Sequence, residues 1–259
     1  MAGQGPVNTA DYFGRFPNIG LQRTPTGILE MRLHSAGGSL RYSASTRSQL
    51  VEAFQRIGAD RANRIVILTG TGADWCAAFD RSPEANPNAS LPLAERWDIQ
   101  LWEGRRLMQA ILDVDAPMIA AVNGPALIHS EYILTCDIIL ASETAIFQDL
   151  PHLDNGVSPT DGVHILWPHV LGPVRGRYFL LTQQKIGAAE ALQLGVCNEV
   201  LAPGELLPRA YAIAERLAEQ PPMSLRYARV GLTQRLKKLV ADELALGLSL
   251  ESVSALSKA

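Results

Sequence analysis

The chain has 259 residues, a net charge of −3 and a hydrophobic fraction of 47%, which together fit a soluble globular protein with a sizeable core. So slight an acidity gives no pull toward nucleic acid or an anionic membrane, and no apolar run approaches the roughly 20 residues of a spanning helix. Cys76, Cys136 and Cys197 are too few and too dispersed for a disulfide framework or a CxxC metal site, and the N-terminus has no basic segment leading into an apolar one, so a cytoplasmic setting is expected.

In chain order, residues 1–15 read as a loose, Gly-rich arm. Asn18 to Arg23 and Ile28 to His34 read as two strands joined by the turn Thr24-Pro25-Thr26-Gly27. After the Gly37-Gly38 break, Ser45 or Thr46 is placed to cap a helix running to about Ala59, with Leu50, Phe54 and Ile57 at helical spacing. Ile65 to Leu68 is a short β-branched strand. Residues 73–92 carry Pro83, Pro87 and Pro92 and read as a binding loop without regular structure.

Leu93 to about Asp113 reads as a helix, with Trp97, Leu101, Leu107 and Ile111 near one side. Met118 to Val122 is a buried strand that runs into Asn123-Gly124-Pro125, and a short helix starts near Ser130. Ile138 to Ala141 and Ala145 to Phe147 are further short strands. From Pro159 the pattern is helical, apart from a strand at Glu199-Val200-Leu201. Long helices are expected around Glu205–Glu219 and Met223–Ser257. Alternating strands and helices indicate an α/β core over residues 1–200 and a helical region over 201–259. No repeat of fixed period stands out.

The segment Ala120 to Gly162 gathers a Gly-Pro turn, His129, His152 and Asp161, and the chemistry of an enzyme is expected there. Glu251 joins them by periodicity: Val240, Leu244, Leu248 and Glu251 follow at steps of three or four, so the acid sits on an apolar stripe. Burying a carboxylate is costly unless it is paired or used; the plainer alternative is a helix-end glutamate turned to water. Other readings stay open. His164 lies three residues after Asp161 and could pair with it. His129, His152 and Asp161 could form a two-His, one-carboxylate metal site, although no close ligand spacing points to one. His34, His164 and His169 read as surface or core-edge residues, and Trp97, Trp102 and Trp167 as core or pocket wall.

Several motifs in fixed order carry a resemblance: IVILTGTG, WCAAFD, AAVNGPA, CDIILASETAIF and GVSPTDG. Together they resemble the crotonase (enoyl-CoA hydratase) superfamily over roughly residues 16 to 257. The resemblance implies an α/β spiral of ββα units with a C-terminal helical region that mediates trimerisation, hence a homo-trimer or a dimer of trimers. CoA-dependent members place glycines in two oxyanion loops. This chain has Ala78-Phe79 in the first and Leu127-Ile128-His129-Ser130 in the second, which speaks against the usual thioester oxyanion hole and against CoA binding. Glu131 falls where a hydratase has one catalytic glutamate, and His152 where it has the other.

These departures are similar to the β-diketone hydrolase branch, through FQDLPH, the later PTDG, WPHVLG, RGRYFLLT and a glutamate late in the last helix. That likeness implies a catalytic set of His152, Asp161, His129 and Glu251. It also puts Tyr42 where the branch has a tryptophan, with Ala78 and Phe79 as substrate contacts. The implied reaction is hydrolysis of the C–C bond between two carbonyls, a retro-Claisen cleavage that needs no CoA, metal or other cofactor. Its chemistry suits the residues: imidazole moves protons near neutrality, and a carboxylate on its far nitrogen fixes the tautomer. His152 is expected to act as acid/base oriented by Asp161, with His129 and Tyr42 on the carbonyl oxygens and Glu251 on the water. The alternatives are an acyl-CoA hydratase or thioesterase using Glu131, and a catalytically idle assembly module.

Overall fold

The computed structural model describes residues 11–257. The first strands, β1 (Ile19–Arg23) and β2 (Ile28–Leu33), pair antiparallel across the expected turn. A two-residue strand β3 (Arg41–Tyr42) leads into α1 (Ala44–Ala59), whose cap is Ser43 rather than Ser45 or Thr46. Ser43 is extended, and its Oγ accepts the Thr46 N–H at 3.1 Å, so the helix starts two or three residues earlier than expected. Strand β4 (Ile65–Thr69) is followed by β5 (Ala78–Phe79), which forms inside the expected loop, and by α2 (Leu93–Leu112).

Strand β6 (Met118–Val122) leads to a 3-10 turn over Ser130–Thr135, and β7 (Ile138–Ser142) and β8 (Ile146–Phe147) follow. The rest of the chain comprises α3 (Val163–Leu171), α4 (Pro173–Thr182), β9 (Ile186–Gly187), α5 (Ala188–Gln193), β10 (Glu199–Leu201), α6 (Pro203–Ala218) and α7 (Pro222–Leu256).

The main sheet has the order β1-β2-β4-β6-β7-β10 and is parallel from β2 onward. Beside it runs a second layer: β3 pairs with β5, Cys76 bridges Ala126, Ala126 bridges Phe147, and β8 pairs with β9. The first strand of each repeat thus enters the main sheet and the second strand enters the side layer. This is a spiral of strand–strand–helix units whose lengths differ too much to register as a sequence period.

Strand β4 is buried on both faces, which is why it reads as an unbroken apolar run. Ile65 and Ile67 pack with Ile28, Ile119 and Leu140 under Leu206, Ala210 and Ala214 of α6, whereas Val66 and Leu68 face the larger core. Helix α6 covers this face of the main sheet. Residues 1–10 of the expected arm lie outside the described residues. Just beyond them Tyr12 and Phe16 are buried, and the Tyr12 hydroxyl donates to Asp60 at 3.0 Å, so the chain is already packed there. Trp167 is buried as expected and Trp97 is half-buried. Trp102 is not core: it is more than half exposed, with the Arg106 guanidinium 4.1 Å from its ring centre. Among the described residues, no helix is long and apolar enough to cross a membrane.

Candidate active site

Three elements bring the ionisable groups together. His129 closes the loop after β6 with φ 51° and ψ 41°, and Glu131 and Tyr132 follow it in the 3-10 turn. Asp149 and His152 lie in the loop after β8, and Asp161 stands just before α3. Glu251 comes from the last turns of α7, where Val240, Leu244, Leu248 and Glu251 are all buried. The helix reaches the site because Gly247 lets it pass: a Cβ there would sit 2.3 Å from the Thr160 carbonyl and 2.4 Å from the His164 ring.

Asp161 lies between the two imidazoles, its Oδ2 being 3.5 Å from His129 Nδ1 and 3.6 Å from His152 Nε2. Each imidazole also has a carboxyl of its own. His129 Nδ1 shares a hydrogen bond with Glu131 at 2.8 Å, and His152 Nδ1 shares one with Asp149 at 2.6 Å. The result is an alternating chain: Asp149, His152, Asp161, His129, Glu131. Asp161 does face His152, at Nε2, as expected, and a second acid that the sequence did not single out, Asp149, holds Nδ1 at the shorter distance. His164 makes no hydrogen bond or ion pair with Asp161 among the described residues; its ring packs against α7 at Gly247 and feels Asp161 only as a nearby charge.

Glu251 accepts from Gln100 Nε2 at 3.0 Å and leaves its second oxygen buried without a hydrogen-bond partner. Tyr42 lies with its ring centre 4.1 Å from that of His129, and its hydroxyl is 3.0 Å from the Tyr132 hydroxyl. Tyr132 stacks flat on His129 at 5.0 Å. Ala78 pairs with Arg41 and Phe79 with Tyr42, the Phe79 ring edge-on to Tyr42, so of the three expected substrate contacts Tyr42 adjoins His129 and the other two lie on the strand beside it.

So many buried carboxyls cannot all ionise. Burial alone would lower His152, but Asp161 and Asp149 on its two nitrogens push it up to about 11. Burial works against ionisation of Asp161, yet His152 and then His129 hold it well below the usual carboxylate range. Burial followed by the Asp161 charge pushes Glu251 up to about 8 and raises Glu131 as well. Burial keeps Tyr42 and Tyr132 as phenols. The resting site therefore holds an imidazolium at His152 against a carboxylate at Asp161.

Two groups of three could converge on a cation, His129–Glu131–Asp161 and His152–Asp161–Glu251, with ligand atoms within 4.8 Å of one another in each. The trio expected from sequence is neither of these, and a cation in the second group would have to displace the His152 proton. Two N–H groups of the second oxyanion loop are also committed: those of Leu127 and Ile128 both donate to the Cys76 carbonyl, at 2.9 and 3.2 Å.

Asp149 and Tyr132 are the site residues that sequence reasoning missed. For Asp149 a signal existed, an acid three residues before His152 in FQDLPH.

A strand–strand–helix spiral with its ionisable groups between the side layer and the last helix defines a crotonase-fold protein. The chain belongs to the enoyl-CoA hydratase/isomerase family, which matches residues 23–252. It is similar to a β-diketone hydrolase from the cyanobacterium Anabaena sp. PCC 7120, solved bound to (S)-3-oxocyclohexyl acetic acid. The identity is 49%, with 97% of this chain and 99% of that one covered, and the TM-score is 0.92. A carnitinyl-CoA dehydratase of Proteus mirabilis is 30% identical over 185 residues, 70% of this chain and 68% of that protein. A solved enoyl-CoA hydratase/isomerase from Mycobacterium paratuberculosis is 25% identical over 93% of this chain and 94% of its own, with a TM-score of 0.82. The resemblance to the crotonase superfamily, and within it to the β-diketone hydrolase branch, is borne out.

Proposed function

We propose that this chain hydrolyses the C–C bond between the carbonyls of a cyclic β-diketone by a retro-Claisen reaction, without CoA. The observation that carries the reading is the pair of imidazoles converging on Asp161, beside Glu251, where a hydratase has glycine and glutamate. Similarity to a β-diketone hydrolase with a bound keto acid supports it, as does the commitment of the Leu127 and Ile128 N–H groups to Cys76.

In this mechanism Glu251 takes a proton from water as the water oxygen bonds to one carbonyl carbon. His129 and the Tyr42–Tyr132 hydroxyl pair donate to the oxygens on which charge develops. The C–C bond then breaks, and its electron pair passes into the enolate of the second carbonyl. The His152 imidazolium protonates the enolate carbon, giving the keto acid, and the proton held by Glu251 restores His152. Glu131, tied to His129, is an orienting group in this scheme rather than a hydratase acid.

The ligand of the Anabaena protein suggests a probe. Rejoining its carboxyl carbon to the ring carbon on the far side of the ketone gives a bicyclic β-diketone with both carbonyls on one bridgehead. Mass spectrometry of a panel that includes this compound should show addition of one water. No product from any member, together with tight binding of CoA in a direct titration, would favour the thioester reading. Replacing His152 by Ala is expected to lower kcat by about a thousandfold or more; near-normal turnover would remove His152 from its role. We further propose that the chain assembles as a homo-trimer or a dimer of trimers.

A further inference from the structure

The loop that carries His152 is built around a contact that the catalytic set above leaves without a task. Strand β8 ends at Phe147, and the next residues are tied down on two sides. Gln148 N–H donates to the Ala126 carbonyl at 3.2 Å and Leu150 N–H to the Leu127 carbonyl at 3.0 Å. On the other side Gln183, the cap at the end of α4, donates from Nε2 to the Asp149 carbonyl at 3.1 Å, and its own carbonyl accepts Gln148 Nε2 at 3.0 Å. His152 is fixed in turn, its carbonyl accepting the N–H groups of Asn155 and Val157 at 2.8 and 3.2 Å. Both ends of the Asp149–His152 bond are thus held by backbone they do not share, and Pro151 between them removes a further freedom. The carboxyl of Asp149 is 2% exposed and the ring of His152 4%.

An acid in that position does two things to an imidazole. It accepts from Nδ1, so the tautomer is set and Nε2 is the nitrogen that faces Asp161 and the reacting atoms. It also supplies the second negative field on the ring. We infer that Asp149 is the positioning residue of this site, fixing the tautomer of His152 and sustaining its imidazolium, while Asp161 faces the reacting side. This assignment rests on the retro-Claisen reading for its effect on turnover, but not for its effect on the ring.

The ionisable groups facing His152 come from several elements. Asp149 lies in its own loop, Asp161 before α3, His164 on α3, Glu251 on α7, and His129 with Glu131 beyond Asp161. Asp149 is the one that bonds Nδ1. A merely structural role for Asp149 would be read as altered stability. A positioning role is read as altered ionisation of one ring and a fall in kcat without a matching change in KM.

Nitrogen-15 NMR of the histidines tests this on the wild-type protein without substrate. Nδ1 of His152 is expected to carry its proton across the neutral range; an unprotonated Nδ1 there would overturn the inference whatever the enzyme's substrate proves to be. In Asp149→Asn the amide oxygen still accepts, but the charge is gone. Its His152 titration should move down by about one pH unit or more, with the alkaline limb of the pH–rate profile moving by the same amount. In that variant kcat is expected to fall about a hundredfold or more and KM to stay within about threefold. A folded Asp149→Asn protein with unchanged titration and kcat would also overturn it. Should wild type leave every diketone intact while the NMR result holds, the function proposal fails and the assignment of Asp149 stands.

Discussion

At Glu251 the cost of burial and the requirement for a base oppose each other. Its folded value of about 8 lies above the ordinary 4.5, so between these values the folded chain keeps a proton that the unfolded chain releases. Stability therefore falls as pH rises through that window. His152 acts in the same sense over a higher range: its contribution is fully present below about 6.5 and is lost as pH rises through about 11. Asp161 is the opposite case, stabilising above the ordinary carboxylate value and lost on acidification. Glu251→Gln should leave acid stability nearly unchanged and raise stability at about pH 9 by on the order of 2 kcal/mol, measured by urea unfolding at both pH values. If Glu251 is the base and His152 the acid, kcat/KM should rise through about 8 and fall through about 11. A flat profile in a pH-rate series would contradict those roles.

Among the elements, α7 shows how closely site and scaffold are joined. The helix crosses the Thr160–His164 segment at a glycine, with no room for a side chain. Gly247→Ala must push the helix away from that segment, and Glu251 and Asp161 ride on opposite sides of the gap. A loss of about 1–3 kcal/mol is expected, seen as a lowered Tm, together with a kcat deficit larger than the stability loss explains. Most elements were legible in the sequence because their signals are local: β6 and β10 fall on the expected residues, and α2 and α7 begin and end within a residue or so of them. The stripe on α7 brought Glu251 inward correctly. Strands β3, β5 and β9 were not legible, since two residues carry no alternation and exist only through partners elsewhere in the chain. The Asp149–His152 bond escaped for a related reason. Periodicity says nothing about a loop, and the resemblance pointed to the acid nine positions further on.

For the molecule as a whole, two apolar stripes remain open to water. Leu246, Leu250 and Val253 recur on α7, and Val174, Tyr178 and Leu181 on α4, each at one face of its helix. Exposed stripes of this kind mark association surfaces, and self-assembly into trimers would cover them. Sedimentation should show a mass above that of one chain, and a Leu250→Glu, Val253→Glu double variant should shift it downward. A wild-type chain that sediments as a monomer at micromolar concentration would refute the proposal. Glu251 itself reaches His152 and Asp161 within one chain, so a dissociated variant would still carry the full set of ionisable groups.

His129 holds a left-handed backbone conformation, φ 51°, at a place where the resemblance implied glycine. A side chain there costs about 1 kcal/mol, so the scaffold keeps a glycine's geometry while bearing an imidazole. His129→Gly should therefore fold without backbone adjustment and leave a ring-shaped vacancy between Tyr42 and Tyr132, the two aromatic faces that now enclose the imidazole. That vacancy is suited to chemical rescue. Free imidazole added to the glycine variant should restore part of the lost turnover in a saturable way, and the bulkier 2-methylimidazole should restore less.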